Sequence, residues 1–388
     1  MAGVAVRTVR TSAVTPYERG VEFGQLCGPE IARTWRRYVE LWAAFDVTAA
    51  ETRTVGEAVL GPVEAYSADL GAELLGMSDG SGLQPWQLGA LNARTELLAF
   101  GDQRLRTQGR LPGESTECST LVQLPRDAAP LTAQTWDWHT SLQDSWCVWT
   151  LRLRGDRVVR TLTEYGLLGK IGVASIDRPG QPRTGLLGLH FNALRHSSDT
   201  GVGGVPVHVV ARRLLDEAGT LDEAESLARA AQCTASTALT VTARRRPDGP
   251  WAASTLELHP GGPSVLGQSE GVDGGCWLAH TNHFVADQVP ADADEASAES
   301  TTRERLDRVT AIARGQAGAV TVDPQSVAER LATHDLGPRS VCVHGYPNAP
   351  VGQRGATLAV AVAEPAAGRL SVHAGKPCEA RRDSWWSG

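Results

Sequence analysis

The sequence lacks three features that would place a protein of 388 residues in a broad functional class at once. It has no excess of positive charge, because 44 Asp and Glu outnumber 37 Lys and Arg, whereas a general nucleic-acid binder needs a basic face. No apolar run reaches the roughly 18 residues of a membrane span. The first twenty residues hold no apolar stretch long enough for a secretory signal. We therefore expect a cytoplasmic globular protein without nucleic-acid or membrane partners.

The seven cysteines lack the spacing of a metal or disulfide motif, since none lies two or three residues from another. An odd, scattered set is typical of reduced thiols in a cytosolic protein. His280 and His283 are three residues apart, with His344 further on, which raises the question of zinc. The segment around His280 is expected to be a strand end and loop, not the helix face that this spacing would suit.

Glycine and proline together make 62 residues, which favours short strands and many turns over long helical bundles. The first third is predicted to be helical, beginning at Pro16 after a Thr15 cap, with Ile31, Trp35, Val39 and Trp42 as the core-facing stripe. Further helices are predicted at 56–76 and 86–100, followed by a polar loop at 101–117.

After Cys118, short β-branched or alternating runs separated by Pro, Gly and Asp predict antiparallel strands. An acidic stretch at 286–300 predicts a solvated loop. The predicted strands are 119–124, 131–139, 146–153, 157–163, 185–191, 237–243, 253–259, 356–363 and 369–374. Helices are predicted at 205–218, 220–231 and 301–314, and after Asp323.

Cys118 lies where the polar loop meets the first apolar strand. STLVQL and LTAQTWDWH are predicted to form a hairpin, which would place Asp137 and His139 at the same end of the sheet as Cys118. A cysteine, a carboxylate and an imidazole close together are typical of a nucleophile site. The alternative is that Cys118 is a small residue filling the start of a strand.

Nine segments occur in an order that is familiar from one family. They are TPYERGVEFG near the start, LNARTEL at 91–97, ECSTLVQLP at 117–125, QTWDWH at 134–139, TEYGLLGKIGVAS at 163–175, HFNALRH at 190–196, GVPVHVVARRLL at 204–215, AHTNHF at 279–284 and RGATLAV at 354–360. With these segments the chain resembles the acyl-coenzyme A:6-aminopenicillanate acyltransferase family of N-terminal-nucleophile (Ntn) hydrolases. The resemblance implies an α+β fold, a four-layer αββα sandwich of two antiparallel sheets with a helical N-terminal segment.

The resemblance also implies a precursor that cuts itself before the nucleophilic cysteine, here between Glu117 and Cys118. Residues 1–117 would then form one subunit and 118–388 the catalytic subunit, together making one compact domain. The family has glycine before the cysteine, and Glu117 departs from that pattern because a Cβ restricts the backbone there.

The remaining site residues are matched by position. The resemblance assigns Asp137 to the active site, Asn282 to oxyanion stabilisation and Arg354 to holding Asp137 or a substrate carboxylate. Residues expected to line the substrate pocket are Thr120, His139, Asn192 and Ser236. The resemblance implies no metal and no bound cofactor, with coenzyme A entering only as part of a thioester substrate.

The expected activity is hydrolysis or transfer of an acyl group from a small amide or thioester, with a role in natural-product metabolism. Two alternatives remain open: an uncleaved cysteine hydrolase using Cys118 and His139, and a non-catalytic protein that binds small acyl compounds. Under the leading hypothesis the partners are the small-molecule substrate and the cleaved N-terminal fragment, and the sequence leaves a homo-oligomer open.

Overall fold

The first hundred residues supply most of the helices, and the remainder supplies most of the strands. A computed structural model describes residues 5–110, 118–271, 274–286, 300–315, 323–346 and 348–388. Its α-helices, numbered in chain order, are α1 Pro16–Ala44, α2 Ala49–Ala58, α3 Leu60–Tyr66, α4 Ala68–Ser81, α5 Pro85–Asn92, α6 Arg94–Thr107, α7 Val207–Glu217, α8 Leu221–Arg229, α9 Thr302–Arg314 and α10 Pro324–Leu331. Each of these described helices is too short or too polar to cross a membrane.

The strands of the described residues form an eight-stranded and a seven-stranded sheet. The order is β1-β4-β5-β6-β7-β8-β9-β10 in the large sheet and β11-β12-β2-β3-β13-β14-β15 in the small sheet. The strands are β1 Thr8–Arg10, β2 Ser119–Leu124, β3 Leu131–His139, β4 Trp146–Arg152, β5 Arg157–Glu164, β6 Ile171–Ile176, β7 Thr184–Ala193, β8 Thr237–Arg244, β9 Trp251–His259, β10 Gly262–Gly267, β11 Ser269–Glu270, β12 Cys276–His280, β13 Gly355–Glu364, β14 Arg369–Ala374 and β15 Trp385–Ser387.

The two sheets lie face to face with helices on both outer sides. Strands β13 and β14 pack against β6 and β5 across the sandwich, α7 and α8 cover the large sheet, and α9 and α10 cover the small one. All strand pairs in these sheets are antiparallel except β1 with β4, which are parallel. The predicted α+β sandwich of two antiparallel sheets is therefore confirmed, with the β1–β4 pair as a local exception.

The N-terminal helices belong to the same hydrophobic core as the sandwich. One buried cluster runs from Phe23 of α1 to Val372 of β14. Helices α1 and α4 pack in close contact. The backbones are so near that a Cβ added at Gly20 would lie 2.0 Å from the carbonyl oxygen of Glu73. A Cβ at Gly76 would lie equally close to the carbonyl of Tyr17. Glycine at both positions is what allows the two backbones to touch.

Three local expectations need correction. The predicted loop at 101–117 is helical as far as Thr107, because the buried Leu105 and the contact of Gly101 with Phe45 continue the inner face of α6. In α1 the buried residue is Tyr38 instead of Val39, whose side chain is 37% exposed. The predicted stripe advanced by four residues twice in succession, and because a helical turn has 3.6 residues, these steps rotate away from the buried face. The predicted helix at 56–76 is three helices, the last capped by Ser67.

Candidate active site

Cys118 lies at the point where three strand ends meet. It directly precedes β2, which is central in the small sheet between β12 and β3. Because β12 and β3 are both antiparallel to β2, the C-terminal part of each of them lies beside the first residues of β2. His280 pairs with Thr120 and Thr135 pairs with Ser119, so the chain beyond each partner runs past Cys118. The predicted hairpin and its placement of Asp137 beside Cys118 are therefore confirmed.

The backbone of Cys118 is held at both its nitrogen and its carbonyl. Its N–H donates to Oδ1 of Asn282 at 2.7 Å. Its carbonyl oxygen accepts from Nδ2 of Asn192 and from Nη1 of Arg305, each at 3.0 Å. Side chains from three separate elements thus fix the position of one residue that is only 4% exposed.

Arg305 is a site residue that the sequence analysis did not single out. Its guanidinium is fully buried in the first turn of α9, and it also donates to Oγ of Ser119 at 3.0 Å and to Oδ1 of Asn282 at 3.2 Å. One rigid fork of N–H donors therefore bridges the carbonyl of Cys118 and the Asn282 amide that accepts from the nitrogen of Cys118. In the sequence it appeared only as one arginine of a polar helix.

Asp137 is fully buried on β3. Its Oδ1 accepts from the Thr357 hydroxyl at 2.6 Å, and its backbone carbonyl lies 3.8 Å from Sγ of Cys118. Arg354, which was expected to hold Asp137 or a substrate carboxylate, donates its Nε to the backbone carbonyl of Ala349, and its role stays a prediction. The hydroxyl groups of Thr357 and, at 3.5 Å, of Thr135 therefore contribute to positioning the Asp137 carboxylate.

Asn282 faces Cys118 with its amide oxygen, while its Nδ2 donates to the carbonyl of Ala193 at 2.9 Å. A primary amide nitrogen carries two hydrogens, so one remains for an oxyanion. The expected oxyanion role stays a prediction, and the described geometry adds a second role in holding the backbone nitrogen of Cys118.

The electrostatic environment keeps the Cys118 thiol protonated near neutral pH. Burial, together with the negative charge of Asp137, raises the pKa of Cys118 to about 11, although Lys170 and Arg305 oppose the increase. Lys170 is itself buried, and burial, reinforced by the charge of Arg94, moves its pKa well below the usual value for a lysine. The thiol and the ammonium group therefore influence one another's protonation across the same cavity.

A cavity of about 650 Å³, counting its open mouth, leads from the surface to Cys118. Its walls come from both the helical N-terminal segment and the sandwich. The lining residues are Phe45, Arg94, Thr95, Leu98, Ala99, Asp102, Cys118, Trp136, Trp138, His139, Lys170, Phe191, Ala193, Leu194, Arg195, Ala235 and Ser236.

The deep wall of the cavity combines aromatic rings with partnered charges. The Lys170 ammonium lies 3.9 Å from the centre of the Trp136 ring, and the Arg94 guanidinium lies 4.0 Å from that of Trp138. Both cations flank the buried carboxylate of Glu164, at 2.9 Å from Arg94 and 3.9 Å from Lys170. Arg94, Glu164 and Lys170 all fall within the segments that carried the family resemblance, yet no single pattern in them marked a pocket.

His139 lies at the end of β3 against Phe45 and Trp138, whose rings it meets edge to face. Burial, with the charges of Arg94 and Arg195, lowers the pKa of His139 to about 3. Such a ring is a weak base, which disfavours an uncleaved Cys118–His139 pair. Within the described residues its Nδ1 has no hydrogen-bond partner, and the ring lines the cavity.

The other expected site residues are spread over the two sheets. Thr120 is buried and donates to Oδ1 of Asn192 at 2.7 Å, so both belong to the network around Cys118. Ser236 lines the cavity and donates to Asp199 at 2.7 Å. Glu117, on the other side of the expected cleavage point, lies outside the described residues.

The three histidines considered for zinc are separated. Nε2 of His280 pairs with Glu257 at 2.8 Å in the interior, and Nδ1 of His283 contacts the Thr302 hydroxyl at 3.0 Å. His344 lies in a different cluster, with other partners.

The two-sheet sandwich defines an α+β protein with a buried cysteine thiol lining its cavity. A family model described as acyl-coenzyme A:6-aminopenicillanic acid acyl-transferase matches residues 126–379, about two thirds of the chain. The chain therefore belongs to the acyl-coenzyme A:6-aminopenicillanic acid acyltransferase family. A similar protein is the acyl-coenzyme A:6-aminopenicillanic-acid-acyltransferase 40 kDa form of Emericella nidulans, 24% identical over 305 residues, which are 79% of this chain and 74% of the relative.

The family assignment confirms the resemblance and supports an acyltransferase. The matched range contains Asp137, Asn192, Asn282 and Arg305 and begins eight residues after Cys118.

Proposed function

We propose that this chain is a precursor that cleaves itself between Glu117 and Cys118 and then acts as an N-terminal-cysteine amidohydrolase or acyltransferase. The observation that carries the proposal is the double anchoring of the Cys118 backbone, by Asn282 at nitrogen and by Asn192 and Arg305 at the carbonyl. Cleavage would turn that nitrogen into an α-amine without moving it, so the same contacts serve precursor and mature enzyme.

The proposed self-cleavage has two balanced steps. Sγ of Cys118 attacks the carbonyl carbon of residue 117; a C–S bond forms, the C–N bond breaks, and the thiol proton passes to the departing nitrogen. Water then attacks this thioester, which releases a carboxylate at residue 117 and restores the free thiol. No external reagent other than water is needed.

In the mature enzyme the new α-amine serves as the base. Its reference pKa of about 7.7–8.0 lies close to the thiol's reference value of about 8.5, so the two exchange a proton readily near neutrality. The thiolate attacks the substrate carbonyl, the leaving amine or thiol takes the proton, and the acyl group remains on Cys118 as a thioester. Water or an acceptor amine then removes it.

The cavity supports a substrate with an apolar or aryl acyl group and a polar end. Trp136, Trp138 and Phe191 give apolar contact area, while Arg94 and Lys170 place positive charge beside it. The Nδ1 of His139, which has no hydrogen-bond partner among the described residues, adds a hydrogen-bonding position. We propose a small amide or an acyl thioester, including a coenzyme A thioester, as the substrate, in natural-product metabolism.

The test is the intact mass of the full chain under denaturing conditions, compared with Cys118→Ala. Self-cleavage predicts fragments of 117 and 271 residues, about 12 and about 29 kDa of the total 41.2 kDa. Cys276→Ala is the matched control, because this cysteine is only half-buried and is the first residue of β12, at the end of the strand opposite His280. A wild-type chain that stays whole, or fragments that persist in Cys118→Ala, would refute the proposal.

If the fragments form, purified mature enzyme is screened against acyl amides and acyl thioesters, with and without acceptor amines. Product release with water alone indicates hydrolysis. Product formation only when an amine is present indicates transfer.

A further inference from the structure

Four metal-ligating side chains converge at a place remote in sequence from the nucleophile. His334 follows α10, Cys342 and His344 lie between α10 and β13, and Cys378 lies in a single 3₁₀ turn after β14. One ligand atom from each residue lies within 4.8 Å of every other. It is the one such group of three or more found in the part of the chain that the structure describes.

Four of the six distances among these atoms match a tetrahedron around one ion, and the other two are at most 4.8 Å. Zinc bonds of about 2.3 Å to sulfur and about 2.0–2.1 Å to nitrogen give tetrahedral edges of about 3.8 Å between sulfurs, about 3.6 Å between sulfur and nitrogen and about 3.3 Å between nitrogens. The sulfurs of Cys342 and Cys378 are 3.6 Å apart. Nε2 of His344 lies 3.5 Å and 3.4 Å from them and 3.0 Å from Nε2 of His334.

Every measured edge thus falls within about 0.3 Å of the zinc value. Hydrogen bonding alone does not account for the group, because two imidazoles and two thiols offer few donors for so many mutual contacts. Both cysteines are free thiols in the structure, and a bond between them would leave the convergence of the two histidines unexplained.

We propose that His334, Cys342, His344 and Cys378 bind one Zn²⁺ as a structural site. Two sulfur and two nitrogen donors in tetrahedral geometry select zinc. Each cysteine releases its proton to solvent when its Zn–S bond forms, and the two thiolates with two neutral imidazoles balance the charge of the ion. Four protein ligands leave no position for water or substrate, so the ion takes no direct part in acyl chemistry.

Thr357 couples the proposed zinc site to the candidate active site. Val343 lies between two of the ligands, and its N–H donates to the Thr357 hydroxyl at 3.0 Å. The N–H of Thr357 donates back to the Val343 carbonyl at 3.1 Å. The same Thr357 hydroxyl donates to Asp137 at 2.6 Å. Zinc therefore holds the segment that orients the hydroxyl donor of Asp137.

The experiment is metal analysis of the full chain, produced without a polyhistidine tag and gel-filtered, by inductively coupled plasma mass spectrometry. We expect one zinc per chain in the wild type and a substoichiometric amount in Cys378→Ser, an exposed position where loss of folding is least expected. Cys276→Ser is the matched control and should retain one zinc. Equal zinc in wild type and Cys378→Ser would mean adventitious metal and would overturn the proposal.

A second measurement does not depend on any variant. Wild-type protein stripped by a chelator and loaded with Co²⁺ should show the visible d–d bands of tetrahedral cobalt together with thiolate-to-cobalt charge transfer. A wild-type chain without metal whose mass is lower by two hydrogens, with two thiols missing on titration, would show a Cys342–Cys378 disulfide and would also overturn the proposal.

Discussion

The backbone nitrogen of Cys118 lies 2.7 Å from Oδ1 of Asn282, a residue 164 positions later in the chain. This nitrogen is the atom that the proposed cleavage would release, and the same amide oxygen also accepts from Arg305 at 3.2 Å. Asn282 therefore fixes the group that would become the base of the mature enzyme. The contact exists because β12 and β2 are antiparallel neighbours in register.

Replacing Asn282 by Ala should slow self-cleavage and substrate turnover by about 10²-fold, the size of the effect of one positioned active-site amide. The variant loses both the acceptor for the Cys118 nitrogen and the hydrogen available to an oxyanion. Time courses of fragment formation and kcat on a model amide measure this. The exposed Gln143→Ala serves as control, and an unchanged cleavage rate in Asn282→Ala would contradict the assignment.

Arg305→Lys should lower the free energy of unfolding by about 1.5–3 kcal/mol, because a lysine cannot reproduce the buried fork of charged hydrogen bonds to Cys118 and Ser119. Urea denaturation in a Cys118→Ala background, where the chain stays in one piece, measures the change. Arg308→Lys on the same helix pairs with Asp335 at the surface and should cost little. Equal losses in the two variants would argue against a special role for Arg305.

Self-cleavage should accelerate with rising pH, because the pKa of Cys118 in the intact chain is raised to about 11. Below that value the thiolate fraction grows about tenfold per pH unit, so the rate should rise in the same way from about pH 6 to about pH 9. Rapidly synthesised precursor shifted between buffers and followed by mass provides the profile. A plateau near neutrality would show that another group controls the step.

Lys170→Met should move this pH profile to higher pH over the range in which Lys170 is protonated, since the charged amine lowers the pKa of the Cys118 thiol. Methionine keeps an unbranched apolar chain of similar length against Trp136. Lys170→Arg keeps the positive charge and is the matched comparison. Coincident profiles for the wild type and Lys170→Met would remove Lys170 from the chemistry of Cys118.

A bulky residue at the cavity wall should separate substrate binding from maturation. Ala99 lines the cavity and is partly exposed, so Ala99→Phe should fill space without disturbing the anchors of Cys118. We expect an unchanged rate of self-cleavage and a KM raised roughly tenfold, equivalent to about 1.4 kcal/mol of lost binding. Steady-state kinetics on the best amide or thioester tests this, and an unaltered KM would place the substrate elsewhere.

The sequence predicted most of the fold because its strands are short, regularly alternating and separated by turn residues. The helix predicted at 220–231 forms as α8, which a capping box of Thr220 and Glu223 begins, and the hairpin after Cys118 forms in the predicted place. Strands β2 and β3 are buried at every position, so their short apolar and β-branched runs, bounded by turn residues, locate them. The parallel pairing of β1 with β4 carries no such local signal.

The candidate site was predictable only where local motifs pointed to it. Cys118, Asp137 and Asn282 stood in recognisable segments, and they converge as expected. Arg305 and Lys170 were missed because their importance depends on burial and on partners far away in sequence. Arg354 was assigned by position, but the described contact of its Nε is with Ala349, a difference that only the fold of the segment before β13 determines.

The four residues of the proposed zinc site illustrate the same limit. Their spacing, eight residues from His334 to Cys342 and 34 from His344 to Cys378, matches no common pattern. The pairing of β14 with β13, which returns the chain to the end of α10, brings Cys378 to the other three ligands.

The walls of the cavity come from both sides of the proposed cut. Phe45 and Arg94 precede residue 117, while Trp138 and Lys170 follow it, and Arg19 shares the buried Glu73 carboxylate with Arg212. A matured protein of this kind would be a two-chain assembly that folded as one. Once unfolded, its chains would have to find each other by diffusion, so recovery would depend on concentration. Its lifetime would then be governed by the height of the unfolding barrier rather than by an equilibrium between folded and unfolded states.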